Sequence, residues 1–195
     1  MSVRGQAHTL EGFAAAIVLL SGVLFALQAT AVTPLTASTS NQHIENQQGA
    51  VAEGTLASAE ANGTLRPALL YWNTTTERFM HTGEDGVYAA GGPPTPFGAT
   101  LNETFGEDRI AFNVDVGYRR ADGSRRRARM VYMGAPSDNA VAATRSVVLY
   151  DDDPLADGSG NVSAAAGSGR FYAPDADPDG PLFGVMEVRI VVWRI

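Results

Sequence analysis

Three aspartates at alternate positions, Asp175, Asp177 and Asp179, followed by Gly180, spell D-x-D-x-D-G, the first half of a calcium loop. In such a loop alternate carboxylates converge on a hard cation and the glycine makes the turn. The twelfth position requires a bidentate glutamate; here it holds Met186, and Glu187 comes one residue late. No cofactor is required by the sequence, and calcium is the one candidate, with Asp175, Asp177 and Asp179 as its ligands. The competing reading is a solvated acidic loop, which is also the reading of DDDPLADGSGN from Asp151 to Asn161.

Other chemistry has little to build on. The chain has no cysteine, which removes disulfides, thiolate catalysis and zinc–thiolate sites. Its 3 histidines, His8, His43 and His81, are scattered without metal-ligand spacing. No G-x-G-x-x-G or P-loop follows a strand-like segment, so nucleotide binding has no support. An enzyme needs a nucleophile with its base, a metal cage or a cofactor loop, and none is legible, so no enzymatic activity is expected.

N-x-S/T acceptors for glycan stand at Asn62, Asn73, Asn102 and Asn161. They function as acceptors only on an exported, exposed segment. All of them follow the apolar N-terminal run, which agrees with an exported remainder.

The charge balance narrows the partners. Lys and Arg total 14 against 21 Asp and Glu, every basic residue is arginine, and the formal net charge is −7. Carboxylate-rich, lysine-free surfaces hold water and resist association at high salt, the habit of halophilic proteins; a GC-rich genome gives the same arginine bias. Nucleic acid is not an expected partner, because phosphate binding needs clustered cations. The basic exception is RRADGSRRRAR, Arg119 to Arg129, whose central DG reads as a hairpin turn with arginines on a solvated tip.

From Gly12 to Val32 no charged residue occurs. At ~1.5 Å per residue this stretch crosses a hydrocarbon core ~30 Å thick, so a membrane helix is predicted. Gly12 and Gly22 leave room for a neighbouring helix, and Arg4 on the short side predicts a cytoplasmic N-terminus. Cleavage of a secretory signal after Ala31 is the competing reading; the run is longer than a signal h-region, and Glu11 stands where positive charge belongs. A carboxylate at the edge of hydrocarbon is costly and is usually paired or functional. The simpler account leaves Glu11 in interfacial water near the positive helix end, with Thr9 as a cap.

The stretch Arg4-Gly5-Gln6, followed by Glu11 and the apolar run, resembles the prepilin-peptidase site of haloarchaeal type IV pilins and archaellins. That resemblance implies cleavage after Gly5, a mature start at Gln6, and retention of the hydrophobic helix as an assembly stem. It also implies that Glu11 meets the amino terminus of an adjacent subunit. Glu11 would be the sixth mature residue, whereas bacterial type IV pilins place their glutamate fifth, and QAHTLE is more polar than the usual archaeal start. The resemblance covers only about the first 35 residues.

The rest of the chain must supply a head. Pro34 should kink or end the helix, which then restarts as a stalk over Ser38–Glu60 with Ile44, Gln48, Val51 and Leu56 at near-helical spacing. LRPALLYWN, Leu65 to Asn73, is core-bound as helix or strand, and Thr74 to Gly106 reads as turns around the irregular GGPPTPFG loop. RIAFNVDVGYR alternates as a half-buried strand, with Ile110, Phe112, Val114, Val116 and Tyr118 inward and Asn113 and Asp115 in water. Arg127–Met133, Thr144–Asp152 and Phe183–Ile195 supply three more strands. The expectation is an α+β chain: a leader and hydrophobic helix over 1–35, a stalk helix over 36–64, and a mainly antiparallel head over 65–195. A two-sheet sandwich like the archaellin head is the other arrangement considered. The expected function is a structural pilin-like subunit of a surface filament, main or accessory. Its partners would be its own copies or other pilin-like subunits, the membrane and a prepilin peptidase. The alternative is a single-pass anchored extracellular binding module that does not assemble.

Overall fold

In a computed structural model the chain is described at residues 3–31, 33–106 and 109–195, with side chains given at 9–27, 42–106 and 109–195. It divides into two compact units, Met1–Ile44 and Glu45–Ile195. The architecture is α+β, an N-terminal apolar helix followed by antiparallel sheet.

Helix α1 covers Val3–Ala31 and α2 covers Thr33–Ala61. Helix continues past Pro34, which lies within α2, and Val32, just before α2, lies outside the described residues. Within α1, Thr9–Leu27 has a mean hydropathy of 2.2 and is long enough to cross a membrane.

The second unit begins inside α2, whose later turns bury Gln48, Ala52, Thr55, Leu56 and Ala59 at helical spacing. Val51, expected on this face, is 41% exposed; Ala52 takes its place against the core. The Leu65–Asn73 segment is helix in its first part, short α3 at Leu65–Leu69, and strand at its end. A two-stranded ribbon follows, β1 (Trp72–Asn73) against β2 (Arg78–Phe79).

Helix α4, Pro96–Phe105, occupies part of the region expected to be turns. Its start obeys local chemistry: Thr95 accepts a hydrogen bond from the Gly98 N–H, and proline stands in the first turn. Phe97, Leu101 and Phe105 then recur at helical spacing and are buried.

The main sheet joins β3 (Ile110–Arg119), β4 (Arg125–Tyr132), β5 (Val141–Tyr150) and β6 (Leu182–Arg194) in the order β4-β3-β6-β5, all antiparallel. Helix α5, Val162–Gly167, lies in the β5–β6 connection and is capped by the Asn161 side chain. One face of the sheet holds Phe112, Val114, Val116, Met186, Val188 and Ile190 in the large core, with the helices' apolar residues. Tyr172 ties the ribbon to this core, its ring 5.2 Å from Trp72, 5.7 Å from Phe79 and 6.0 Å from Tyr118. Among the described residues there is one four-stranded sheet plus a ribbon rather than two facing sheets.

Strand β3 departs from the half-wet pattern. Asn113 and Asp115 are buried, at 7% and 9% exposure. The cause is position: β3 is an inner strand, and the outer face around it is partly covered by long neighbours and by a second small cluster of Ala111, Val191 and Trp193. The Asn113 amide is satisfied there, donating to the Gly134 carbonyl and accepting from the Met133 N–H.

Candidate functional site

The outer face of the sheet is built by register. The β3–β4 turn runs over Arg120–Ser124, with Gly123 at φ 78° and the Asp122 carboxylate accepting from the Ser124 N–H. That turn places Asp115 opposite Arg129, Gly117 opposite Arg127 and Arg119 opposite Arg125. On the other side β6 sets Arg189 beside Asp115 and Glu187 beside Gly117. Side chains alternate across a strand, so all of these project to one face.

The hairpin expected over Arg119–Arg129 forms with its arginines exposed, and two of them are tied to a neighbouring acid. Arg127 Nη1 lies 3.3 Å from Asp115 Oδ2, and Arg129 Nε lies 3.8 Å from Oδ1. Arg129 also stands 4.2 Å over the Tyr132 ring. The Asp115 side chain is 12% exposed, whereas Arg127 and Arg129 stay more than half exposed. A single carboxylate thus gathers two arginines whose outer donors still face solvent.

Around this group lies an open cleft of about 870 Å³. It crosses the sheet from Arg119, Arg125, Arg126 and Arg127 to an apolar wall of Pro174, Ala176, Leu182 and Val185. Gly117 forms part of the floor, where a methyl group would sit 3.4 Å from Glu187 Cβ. Chemically, exposed guanidinium forks beside a shallow apolar wall can hold carboxylates bidentately.

The aspartate loop lies past that wall, and it is not arranged as a cation cage. Asp175 accepts from Ser163 Oγ at 3.0 Å and from the Asp177 N–H at 3.0 Å, so its oxygens are engaged within the loop. Asp177 and Asp179 are exposed. Among the described residues no group of three or more Asp, Glu or His side chains is gathered closely enough to hold a metal. Calcium through Asp175, Asp177 and Asp179 therefore finds no preformed geometry. Asp151 stands close by: burial first, then the charges of Asp175, Asp177 and Asp152, push its carboxyl above the usual range. Its Oδ1 is buried without a hydrogen-bond partner.

The 151–161 segment is likewise more than a solvated loop. Leu155 is buried, and Asp157 accepts from the Thr74 N–H and hydroxyl at 2.8 and 2.9 Å and from the Ser159 N–H and hydroxyl at 2.9 and 2.6 Å. Burial raises the Asp157 carboxyl, but the bonds from Ser159 and Thr74 outweigh it and hold it at about 2. The Arg66 guanidinium is taken by Asp153 at 3.4 Å.

The asparagines of the N-x-S/T motifs fall into two kinds. Asn62 is exposed, its side-chain amide donating to Ser58 Oγ at 3.3 Å. The other three accept backbone hydrogen bonds: Asn73 from Thr75 and Thr76, Asn102 from Gly92, Asn161 from Ala164. Of the leader residues, the backbone at Gly5 and Gln6 is helical and their side chains lie outside those described, as do those of His8 and Ala31. Val32 lies outside the described residues altogether. Glu11 is exposed at the start of the apolar stretch, and every described side chain from Leu10 to Leu27 is exposed as well. His43 and His81 are exposed and are not brought together with any metal ligands.

Sequence reasoning missed Asp115, Arg189 and Gly117. The signal was present, since folding the chain about Asp122-Gly123 sets Asp115 across from Arg129. Comparisons with curated proteins and with solved structures give no match. Residues 4–192 match Family of unknown function (DUF7288), and the chain belongs to that family.

Proposed function

We propose that this chain is a pilin-like structural subunit, main or accessory, of a surface filament. In this reading it is cut after Gly5, held with its N-terminus cytoplasmic, and assembled by α1 against α1 of its own or related subunits. The observation that carries it is the Thr9–Leu27 stretch, at mean hydropathy 2.2 and exposed throughout its described length, joined to an α+β unit with a core of its own. Apolar side chains left uncovered by the chain gain only when lipid or other helices cover them. Glu11, at the edge of that stretch, is the assembly carboxylate in this account, and no reaction is assigned to the head.

Mass spectrometry of the native N-terminus tests it. A mature start at Gln6 is expected. A start at Met1 or Ser2 makes the chain a plain anchor, and a start at Val32 makes it secreted and ends the proposal. In the variant Glu11→Ala, normal membrane insertion with lost assembly is expected; unchanged assembly removes Glu11 from the role.

The arginine-lined cleft favours one second reading, a single-pass anchored module whose head binds an extracellular ligand without assembling. The same N-terminal measurement separates the two.

A further inference from the structure

The outer cleft holds more positive charge than its own acids neutralise. Five arginines line it, Arg119, Arg125, Arg126, Arg127 and Arg189, against two carboxylates, Asp115 and Glu187. This excess stands in a chain whose formal net charge is −7. Asp115 is already taken by Arg127 and Arg129. Asp122, the acid of the β3–β4 turn, is engaged by Ser124 and, among the arginines, by the charges of Arg120 and Arg126. Among the described residues Arg119 and Arg125 make no ion pair.

Those two are also the arginines that register sets directly opposite each other. Facing residues on antiparallel strands stand with Cβ atoms ~4.5–5.5 Å apart, and like charges there repel. An anion between the two guanidiniums turns that repulsion into two attractions. A single carboxylate, with one charge and two oxygens, matches one guanidinium fork. A phosphomonoester, with close to two charges and three terminal oxygens, serves both. The next pair along this face is Gly117 and Arg127, so one of its two places carries no side chain and the floor is low. The opposite wall, with Pro174, Ala176, Leu182 and Val185, is apolar, and Val185 is 53% exposed. An apolar body joined to the anion gains by covering it.

We propose that this cleft binds a small organic phosphomonoester, its phosphate clamped between Arg119 and Arg125 and its apolar body laid on the Leu182 and Val185 wall. The volume of about 870 Å³ falls within the ~300–1,000 Å³ of small-ligand sites. The facing arginines are kept at a cost in repulsion that the ligand removes. The site lies wholly in the head, so it stands whether the chain assembles or is a lone anchor.

Phenyl phosphate, inorganic phosphate and benzoate are titrated into full-length protein in nonionic detergent, at fixed ionic strength, while the backbone amide signals of Gly117 and Val185 are followed. At about pH 8 the phosphomonoester carries close to two charges. Phenyl phosphate should shift both signals, and benzoate, with the same ring and one charge, should bind about tenfold more weakly or worse. Arg119→Gln and Arg125→Gln, at exposed positions, should each weaken phenyl phosphate about tenfold or more. With the facing repulsion gone, both variants should unfold at the same or a higher temperature when no phosphate is present. Val185→Ser should weaken phenyl phosphate and leave inorganic phosphate unaffected. No shift, benzoate as tight as phenyl phosphate, or undiminished binding of phenyl phosphate in any of the three variants overturns the proposal. So does a lowered unfolding midpoint in both arginine variants, which makes the pair structural. N-terminal processing is read separately, so failure here leaves the stem assignment standing.

Discussion

Arg127 and Asp115 meet at 3.3 Å across neighbouring strands, and Arg129 reaches the same carboxylate from two residues further along β4. The pairing is lopsided, a nearly buried acid held by mostly exposed bases. Exposed ion pairs contribute about 0–1 kcal/mol, whereas a buried acceptor that loses its partners costs more. Arg127→Ala, which takes a donor from the nearly buried Asp115 carboxylate, should therefore lower stability by about 1–3 kcal/mol. Asp115→Ala, which leaves two arginines that water still reaches, should lower it by less than ~1 kcal/mol. Denaturant unfolding of both variants measures the difference, and a larger loss for Asp115→Ala than for Arg127→Ala would refute this account.

Asp157 gives the clearest dependence on pH. Its folded-state carboxyl is held at about 2 against an ordinary 3.8. A value depressed on folding stabilises the protein above the unfolded value and loses that effect as pH falls through the folded one. Stability should thus drop between about pH 4 and about pH 2. Asp157→Ala, which strands the buried Thr74 N–H and hydroxyl, should cost about 1–3 kcal/mol at neutral pH and flatten that acid limb. An unchanged acid limb in the variant would contradict the assignment.

The start of α4 is sterically closed. A methyl group on Gly98 would overlap the Pro93 carbonyl oxygen, a clash with backbone that no rotamer can relieve. Gly98→Ala should cost about 1–3 kcal/mol or more, and Thr95→Ala about 1 kcal/mol through loss of the cap. For a chain of this size each kcal/mol lowers Tm by ~2–4 °C, so calorimetry resolves both. Gly98→Ala of normal stability would mean that the approach of α4 to Pro93 is wrong.

The acceptor asparagines should separate by stability. Asn161→Ala removes the α5 cap and should cost about 1 kcal/mol, while Asn62→Gln should leave Tm unchanged. Intact mass before and after each substitution reads any glycan at these motifs; a mass changed in Asn62→Gln by the substitution alone would exclude that site.

A charge in the middle of α1 tests its environment. Leu19→Arg places a cation among exposed apolar side chains, at a cost of about 2.5–3.5 kcal/mol if they face hydrocarbon. Membrane retention should fall on fractionation; full retention would argue that this helix lies elsewhere.

Much of this fold was legible because pattern and burial coincide. The alternation in Ile110–Arg119 located β3, and the apolar runs at Val141–Tyr150 and Leu182–Arg194 located β5 and β6 to within a few residues. The α4 helix was not read, although Thr95-Pro96 followed by Phe97, Leu101 and Phe105 states it in the usual terms of cap and period. The glycines and prolines of GGPPTPFG masked it, because the last of them are the first turn of the helix. The buried side of Asp115 was hidden for another reason. Strand periodicity shows which residues share a face but not whether that face is covered, and covering depends on sheet order, here set by β6 coming back between β3 and β5. In the aspartate motif the spacing resembles a cation loop, while Ser163 and the Asp177 N–H take the oxygens of Asp175.

That sheet order also sets the sequence of events during folding. The β3–β4 hairpin closes over a short loop, but β5 touches the sheet only through β6, which must find β3 across the whole of β4, β5 and the β5–β6 connection. Long loop closure of this kind is slow, so the sheet is zipped shut by its final strand. Until then the β3–β4 and β5–β6 pairs, each closed over a shorter connection, lack one another. Amide exchange during refolding should protect pairing within each of them before the β3–β6 pairing, leaving an interval in which a chaperone or a neighbouring chain meets an unfinished edge.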